Sequence, residues 1–439
     1  MSTTTAPIRH VLGRELAPAI DLASAASRSG IPVCLRTHMR DDPYYSSLFT
    51  LSSRAAWTGR DLIQREMEAG ADLRVPGPFR KSVEIMASPD DDPVGDMLAK
   101  HREDALRMLS AVNMWRTLTV PQMAAMIGAS RWARSQWPIP VARAHAAGFV
   151  QAGVLTSLVR SDLPALLRVD PDGDPGSLLD RLSFSEWLGV TSGQLWRGST
   201  TPDRHNIMVV ELALRIAQMC PGAGVVLGEM VGNHDLLLGV ENARLARRRA
   251  DSVIIRKDGL RIVIEATASD RFVGKMENWV EFLVADKSKS TVVVFVEMVR
   301  PGYSSESTYQ AIFRGLSKAV SSSMSAVAAQ VLDRMFLVRW SDWFPGPGLV
   351  TPDFATLPAT RYSGDGTGSH PSWQRVDLLD PQHLPLSPSA TPEHLMTALS
   401  NARLLTGAPK VLTEKIRAPR PDTDAVVRAR AGFPSVPGA

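Results

Sequence analysis

Two strongly apolar segments separated by three residues constrain this chain more than any other feature. DSVIIR (251–256) and LRIVIEAT (260–267) are short and rich in β-branched residues, and Lys257-Asp258-Gly259 joins them. That is the pattern of a hairpin of two strands. Asp251 stands at the head of the first strand and Glu265 near the end of the second. The turn decides whether the two carboxylates meet. A three-residue loop with Gly259 left-handed opposes Arg256 to Leu260, and so Asp251 to Glu265, with Cβ atoms roughly 5 Å apart. A two-residue turn at Asp258-Gly259 opposes Asp251 to Ala266 and sends the carboxylates to opposite faces. The sequence admits both.

The surrounding elements alternate. HNIMVVELALRIAQMC (205–220) reads as an apolar helix and VVLGEMV (225–231) as a strand. After the hairpin come an amphipathic helix (270–286), a β-branched buried strand TVVVFVEMV (291–299), a long helix (307–333) and a last strand MFLVRW (335–340). The order α-β-β-β-α-β-α-β predicts one mixed sheet flanked by helices, an α/β domain over 205–344.

Ahead of it, residues 96–160 read as a mostly helical unit. Residues 96–115 have helical apolar spacing, with Leu98, Ala105, Leu106, Leu109 and Val112 facing a core. In TVPQMAAMIG (119–128), Thr119 is an N-cap, Pro121 lies early in the helix and Gly128 ends it. An arginine-bearing segment (130–147) and Gly148-Phe149-Val150 follow. Helix, turn, second helix and β-wing is the order of a winged helix-turn-helix; a plain three-helix bundle is the alternative. Pro138 and Pro140 place the strongest helical part of its recognition helix after 140. Arg131, Arg134 and Arg143 are its candidate DNA contacts, and Trp132 and Trp137 either stack on bases or pack in the core.

The rest is less informative. Residues 1–95 read as mostly helical, with Asp21 to Ser27 and Ala55 to Glu68 as helices. Residues 161–204 read as a connector. From 345 onward lie fourteen of the 31 prolines, which predicts a loosely ordered tail to 439. Its one helix, 392–407, is a candidate contact for a protein partner or a second copy.

Composition narrows the function classes. The net charge is +4 with a pI near 9.2, which permits a nucleic-acid partner without requiring one. Two distant cysteines, Cys34 and Cys220, offer neither a disulfide framework nor zinc spacing, so a cytoplasmic location is expected. The start lacks a signal core, and the longest apolar run is far short of a membrane span, so no membrane partner is expected. No GxxxxGK[ST] occurs, which argues against a nucleotide cofactor. No two of the nine histidines lie two residues apart, and Tyr44-Tyr45 is the only tyrosine cluster. A tyrosine relaxase with a His-hydrophobic-His cradle is thereby disfavoured.

Two carboxylates converging from a hairpin suit a hard divalent cation such as Mg²⁺ or Mn²⁺. Such an ion acidifies a bound water and neutralises charge on a phosphate. The arrangement resembles the PD-(D/E)xK nuclease superfamily, whose pattern is an acid, a hairpin and then Glu/Asp-x-Lys, often with a further Glu on the preceding helix. The resemblance implies a restriction-endonuclease-like fold. It assigns Asp251 and Glu265 as metal ligands and Glu211 as the helix acid. The lysine position is Thr267, in Glu265-Ala266-Thr267, and Lys275 in the following helix is the candidate replacement. His205, at the head of its helix, is a candidate phosphate contact or a cap. Arg244, Arg247, Arg248 and Arg249 are phosphate contacts or a solvated face, and one of this run is an alternative ion-pair partner for Glu265.

A winged helix followed by a nuclease-like domain resembles the replication-relaxation family of plasmid, phage and mobile-element proteins. TVPQMAAMIG, ARAHAAGFV, RHNIMVVELAL (204–214), Glu229, RRADSVI (248–254), VIEAT (263–267) and Lys275 before Trp279 carry this resemblance over residues 100–300. It implies a DNA-processing protein, a Mg-dependent nicking endonuclease. The displaced lysine keeps a second reading open: a non-catalytic DNA-binding replication or regulatory protein on a degenerate nuclease fold.

Overall fold

The computed structural model describes residues 40–46, 54–70, 79–88, 92–132, 137–156, 164–191, 203–230, 250–267, 273–299, 331–363 and 372–387, with a few short or single positions besides. They form a four-stranded and a seven-stranded sheet with associated helices, besides two short two-stranded pairings.

The first unit opens with strand β1 (Arg54–Thr58) and helices α1 (Arg60–Glu68) and α2 (Arg80–Ala87). Residues 55–58, expected to be helical, are extended instead, paired antiparallel to a later strand. Helix α3 (Pro93–Trp115) starts at Asp92, whose carboxylate accepts from Gly95 N at 3.0 Å, and it is kinked at His101. Strand β2 (Thr117–Thr119) leads into α4 (Val120–Ile127). Thr119 caps the helix and Gly128 closes it at φ +76°, as the sequence predicted, and Gln122 returns the cap by accepting from Thr119 N at 3.1 Å.

Helix α5 (Ile139–Ala146) begins one residue before Pro140 rather than after it. Pro140 lies in the first turn, where a missing N–H costs nothing. Strands β3 (Val150–Thr156) and β4 (Leu166–Val169) complete a four-stranded antiparallel sheet ordered β1-β3-β4-β2. The unit therefore extends past residue 160 into the expected connector, which also holds α6 (Phe184–Thr191).

Helix α5 is covered. Six of its eight residues are buried, and α2 packs along it. Phe79, Trp137 and His145 form one ring cluster, with Phe79 4.9 Å from Trp137 and 5.9 Å from His145. The Trp137 indole donates to Ser82 Oγ at 3.0 Å.

The second unit runs α7 (Asp203–Met219), β5 (Ala223–Gly228), β6 (Ser252–Arg256), β7 (Arg261–Thr267), α8 (Val273–Ala285), β8 (Thr291–Glu297) and β9 (Met335–Arg339). Two further strands, β10 (Pro358–Ser363) and β11 (Ser372–Asp377), extend the sheet to seven, ordered β11-β10-β9-β8-β7-β6-β5. The β7–β8 and β8–β9 pairs are parallel and the rest antiparallel. This is an α/β protein with a mixed sheet. Every residue of β7 and β8 is buried, as interior strands covered on both faces must be.

Strands β10 and β11 correct the expectation of a loose tail from 345. Proline excludes a residue from interior sheet bonding but not from a strand's first position. Pro358 occupies that position, paired with Asp377. Leu349–Val350 pairs with Ile20–Asp21, so Asp21 is extended rather than helical. The expected helix at 392–407 and most of the one at 307–333 lie outside the described residues.

The two units are in close contact. A Cβ on Gly228 would stand 2.7 Å from Met114 O and 2.8 Å from the Trp115 ring, so β5 ends hard against the end of α3. Gln122 of α4 donates to Ile207 O of α7 at 3.0 Å.

Candidate metal centre

The hairpin takes the three-residue turn. The β6–β7 register pairs Ile255 with Arg261 and Ser252 with Ile264. Arg256 N donates to Leu260 O and Gly259 N to Arg256 O, both at 2.8 Å, and Gly259 has φ +96°. The paired stretch ends at Ser252; Asp251, one residue beyond, turns its N–H to Ile264 O at 3.1 Å, and its carboxylate lies close enough to Glu265 to raise that acid's pKa.

The Glu265 carboxylate is buried and that of Asp251 partly so, with side-chain exposures of 1% and 12%. Each of their four oxygens has a protein donor. Asp251 Oδ2 accepts from Ala266 N at 2.7 Å, and Oδ1 lies 3.0 Å from His205 Nε2. Glu265 Oε1 accepts from the Trp279 indole at 2.8 Å, and Oε2 from Lys275 Nζ at 2.5 Å. The same Nζ is 3.9 Å from Asp251 Oδ2. Lys275 and Trp279 reach the site together because they are four apart on α8 and share a face. His205 reaches it from the first turn of α7.

The two acids are electrostatically unlike. Burial raises the Asp251 carboxyl, but His205, Lys275 and the Ala266 N–H outweigh it and hold its pKa below the ordinary value. For Glu265, burial and the neighbouring Asp251 charge prevail over Lys275 and Trp279, and its pKa is pushed up to about 7. Burial acts to lower His205, yet the Asp251 carboxylate raises it overall. Lys275 is raised likewise: Glu265, Asp251 and Glu229 outweigh its desolvation. Like-charged neighbours pushed apart in pKa are a common feature of functional sites.

Lys275, not Thr267, supplies the basic group beside the acids. Thr267 is fully buried, its hydroxyl 3.5 Å from Glu265 O. Lys257 lies in the turn at the opposite end of the hairpin. Glu229 adjoins the centre: it follows Gly228, which pairs with Ser252, and Arg116 approaches it to 3.9 Å. The pairing of Trp279 with Glu265 was not anticipated, though its i+4 spacing from Lys275 is a readable signal.

Glu211 is not brought to the pair. Arg40 donates to both its oxygens at 3.0 and 3.1 Å, Arg215 to one at 3.1 Å and Gln122 to the other at 3.4 Å. Arg215 also meets Asp42 at 3.0 Å. The reason is that three cationic or amide donors surround its place on the buried face of α7. Arg131 pairs with Asp104 and remains exposed. Arg143 pairs with Asp96 at 2.5 Å and is mostly buried. Trp132 and Trp137 are core residues, 5% and 3% exposed. Arg134, Arg244, Arg247, Arg248 and Arg249 lie outside the described residues.

The donor set fits a hard cation. Two carboxylates are the usual protein share of a Mg²⁺ site, the remainder being water and substrate oxygens. Among the described residues no group of three or more His, Cys, Asp or Glu side chains forms a ready cage. No helix among them is long and apolar enough to cross a membrane. No family model matches the chain, and neither a curated protein nor a solved structure is significantly similar to it.

Proposed function

We propose that this protein is a metal-dependent phosphodiesterase that nicks or processes DNA, built on a restriction-endonuclease-like domain of the PD-(D/E)xK kind. The observation that carries this reading is the convergence of Asp251 and Glu265 from adjacent strands with Lys275 Nζ 2.5 Å from one and 3.9 Å from the other. The element order α7-β5-β6-β7-α8-β8 supports it. Asp251 and Glu265 would hold Mg²⁺ or Mn²⁺, which supplies an acidified water and neutralises charge on the scissile phosphate. Lys275 orients that water or meets the phosphate. His205 fixes Asp251 through the 3.0 Å contact, rather than acting only as a cap.

The first unit is read as a winged helix-turn-helix with an added strand and cover. Its order of helix, strand, helix, helix and two strands in an antiparallel sheet supports this. The duplex does not run along α5, because α2 covers that helix. The resemblance to the replication-relaxation family fits this domain order and is part of the same proposal.

The test is incubation of the full chain with supercoiled plasmid and Mg²⁺ or Mn²⁺, beside Asp251→Ala and Glu265→Ala. Nicking by the wild type alone is the expected result. Equal DNA binding by all three proteins without cleavage would transfer the protein to the second reading, a non-catalytic DNA-binding replication or regulatory protein. The saturation of all four carboxylate oxygens by protein donors is the observation that favours that reading. No DNA binding at low salt would sink both.

A further inference from the structure

We propose that Lys275 is a displaceable internal cation, whose ammonium lies where a metal shared by Asp251 and Glu265 would sit and must swing out before the metal enters. This deepens the metal-dependent reading and rests on it. Four donors surround the two carboxylates. Three are fixed. The Ala266 N–H is backbone within β7. Trp279 is 3% exposed and packs against Phe282. His205 stands in the first turn of α7, which the first unit grips: Asp203 accepts from the Trp57 indole at 3.0 Å and from Thr117 Oγ1 at 2.9 Å. Lys275 differs on each count. Its side chain is 45% exposed, it ends a flexible four-carbon stem, and its ammonium is readily rehydrated.

Charge makes the exchange obligatory. A divalent ion bound to both acids brings two positive charges to within a few ångströms of the Lys275 ammonium, in a setting where unit charges at 4 Å interact by far more than thermal energy. The lysine therefore opposes metal binding in its inward position and ceases to oppose it only by leaving. Lys275 offsets one of the two negative charges of the acids without metal, and its movement couples metal loading to the presence of a free cation at the mouth of the site.

The measurement is metal affinity, read by Mn²⁺ electron paramagnetic resonance or calorimetry on the full chain without DNA. Lys275→Met and Lys275→Gln are compared with wild type, with Asp251→Asn as the site control. Both lysine variants are expected to bind Mn²⁺ at least about tenfold more tightly, the equivalent of about 1.4 kcal/mol. Equal or weaker binding by folded variants, with wild type binding at a site that Asp251→Asn abolishes, overturns the inference and leaves the metal reading standing. No Mn²⁺ binding by any protein, or binding that Asp251→Asn does not weaken, overturns both. Should the variants fail to fold, amine labelling of wild-type Lys275 decides. Labelling is expected to rise several-fold on adding Mg²⁺, and labelling that is unchanged or falls refutes the displacement.

Discussion

Replacing Glu265 by Gln should change the pH dependence of stability in a calculable way. The Glu265 carboxyl is raised from its ordinary 4.5 to about 7 in the folded protein, by burial first and by Asp251 second. A raised value means that the folded state holds the proton more tightly than the unfolded chain. The contribution is therefore fully present below pH about 4.5 and is lost as pH rises through about 7. A rise from 4.5 to about 7, at about 1.4 kcal/mol per pH unit, puts the ceiling on this loss at about 3–4 kcal/mol. The amide introduced by Glu265→Gln does not titrate. In chelator, urea unfolding from pH 4.5 to 8.5 should show the difference between variant and wild type moving in favour of the variant by about 2–3 kcal/mol. Part of the gain is offset because Lys275 loses its closest partner, at 2.5 Å. The difference is the informative quantity, since His205 and Asp251 titrate in both proteins. A flat difference, or one that moves in favour of wild type as pH rises, would refute the view that burial beside Asp251 dominates Glu265. Adding Mg²⁺ at pH 8 should narrow the gap, because only the wild type gains binding energy from the ion.

Two further substitutions separate the scaffold from the metal centre. Glu211→Gln leaves Arg40 and Arg215 buried with one fewer negative charge, and should lower stability by about 3–5 kcal/mol. Mn²⁺ affinity of the folded fraction should stay within about twofold of wild type; a tenfold loss would return Glu211 to the site. Gly228→Ala drives a methyl group to 2.7 Å from Met114 O. It should cost about 1–3 kcal/mol in urea unfolding, and a neutral result would mean that the contact between β5 and α3 yields freely.

The two strands of the hairpin were legible because their β-branched runs flank a short polar turn, but their register was not. A left-handed Gly259 in a three-residue loop and a two-residue turn at Asp258-Gly259 both suit the sequence, and the structure takes the first, with Gly259 at φ +96°. Helix α4 was legible because its start and stop are local, set by Thr119 and Gly128. Features set by distant partners were not. Residues 55–58 extend because β3 offers an edge, and nothing within them says so. The prolines of the C-terminal region counted against order, yet Pro358 begins a strand where its lacking N–H is harmless. Glu211 carried the sequence signature of a site residue, but its partner Arg40 lies 171 residues away, and its other partner Arg215 is itself held by the equally distant Asp42. The acid–lysine pairing stood between these cases: Lys275 was identifiable as the replacement base, whereas Trp279 required the geometry of α8.

The cover over α5 bears on how the first unit can serve the second. For α5 to enter a groove, α2 would have to leave and expose Phe79 and Trp137, which are 0% and 3% exposed. Each such side chain returns about 1.5–3 kcal/mol of burial. The indole bond from Trp137 to Ser82 would also be lost, at about 1 kcal/mol. Uncovering thus costs about 4–7 kcal/mol, comparable with the difference between specific and non-specific DNA affinity. Arg143 would in addition have to leave Asp96. What the first unit does in its closed form is mechanical: Trp57, Thr117 and Gln122 hold the opening turns of α7. One of those turns presents His205 to Asp251. A ligand that shifts this grip would act on the acid pair through a single helical turn, without α5 being exposed at all.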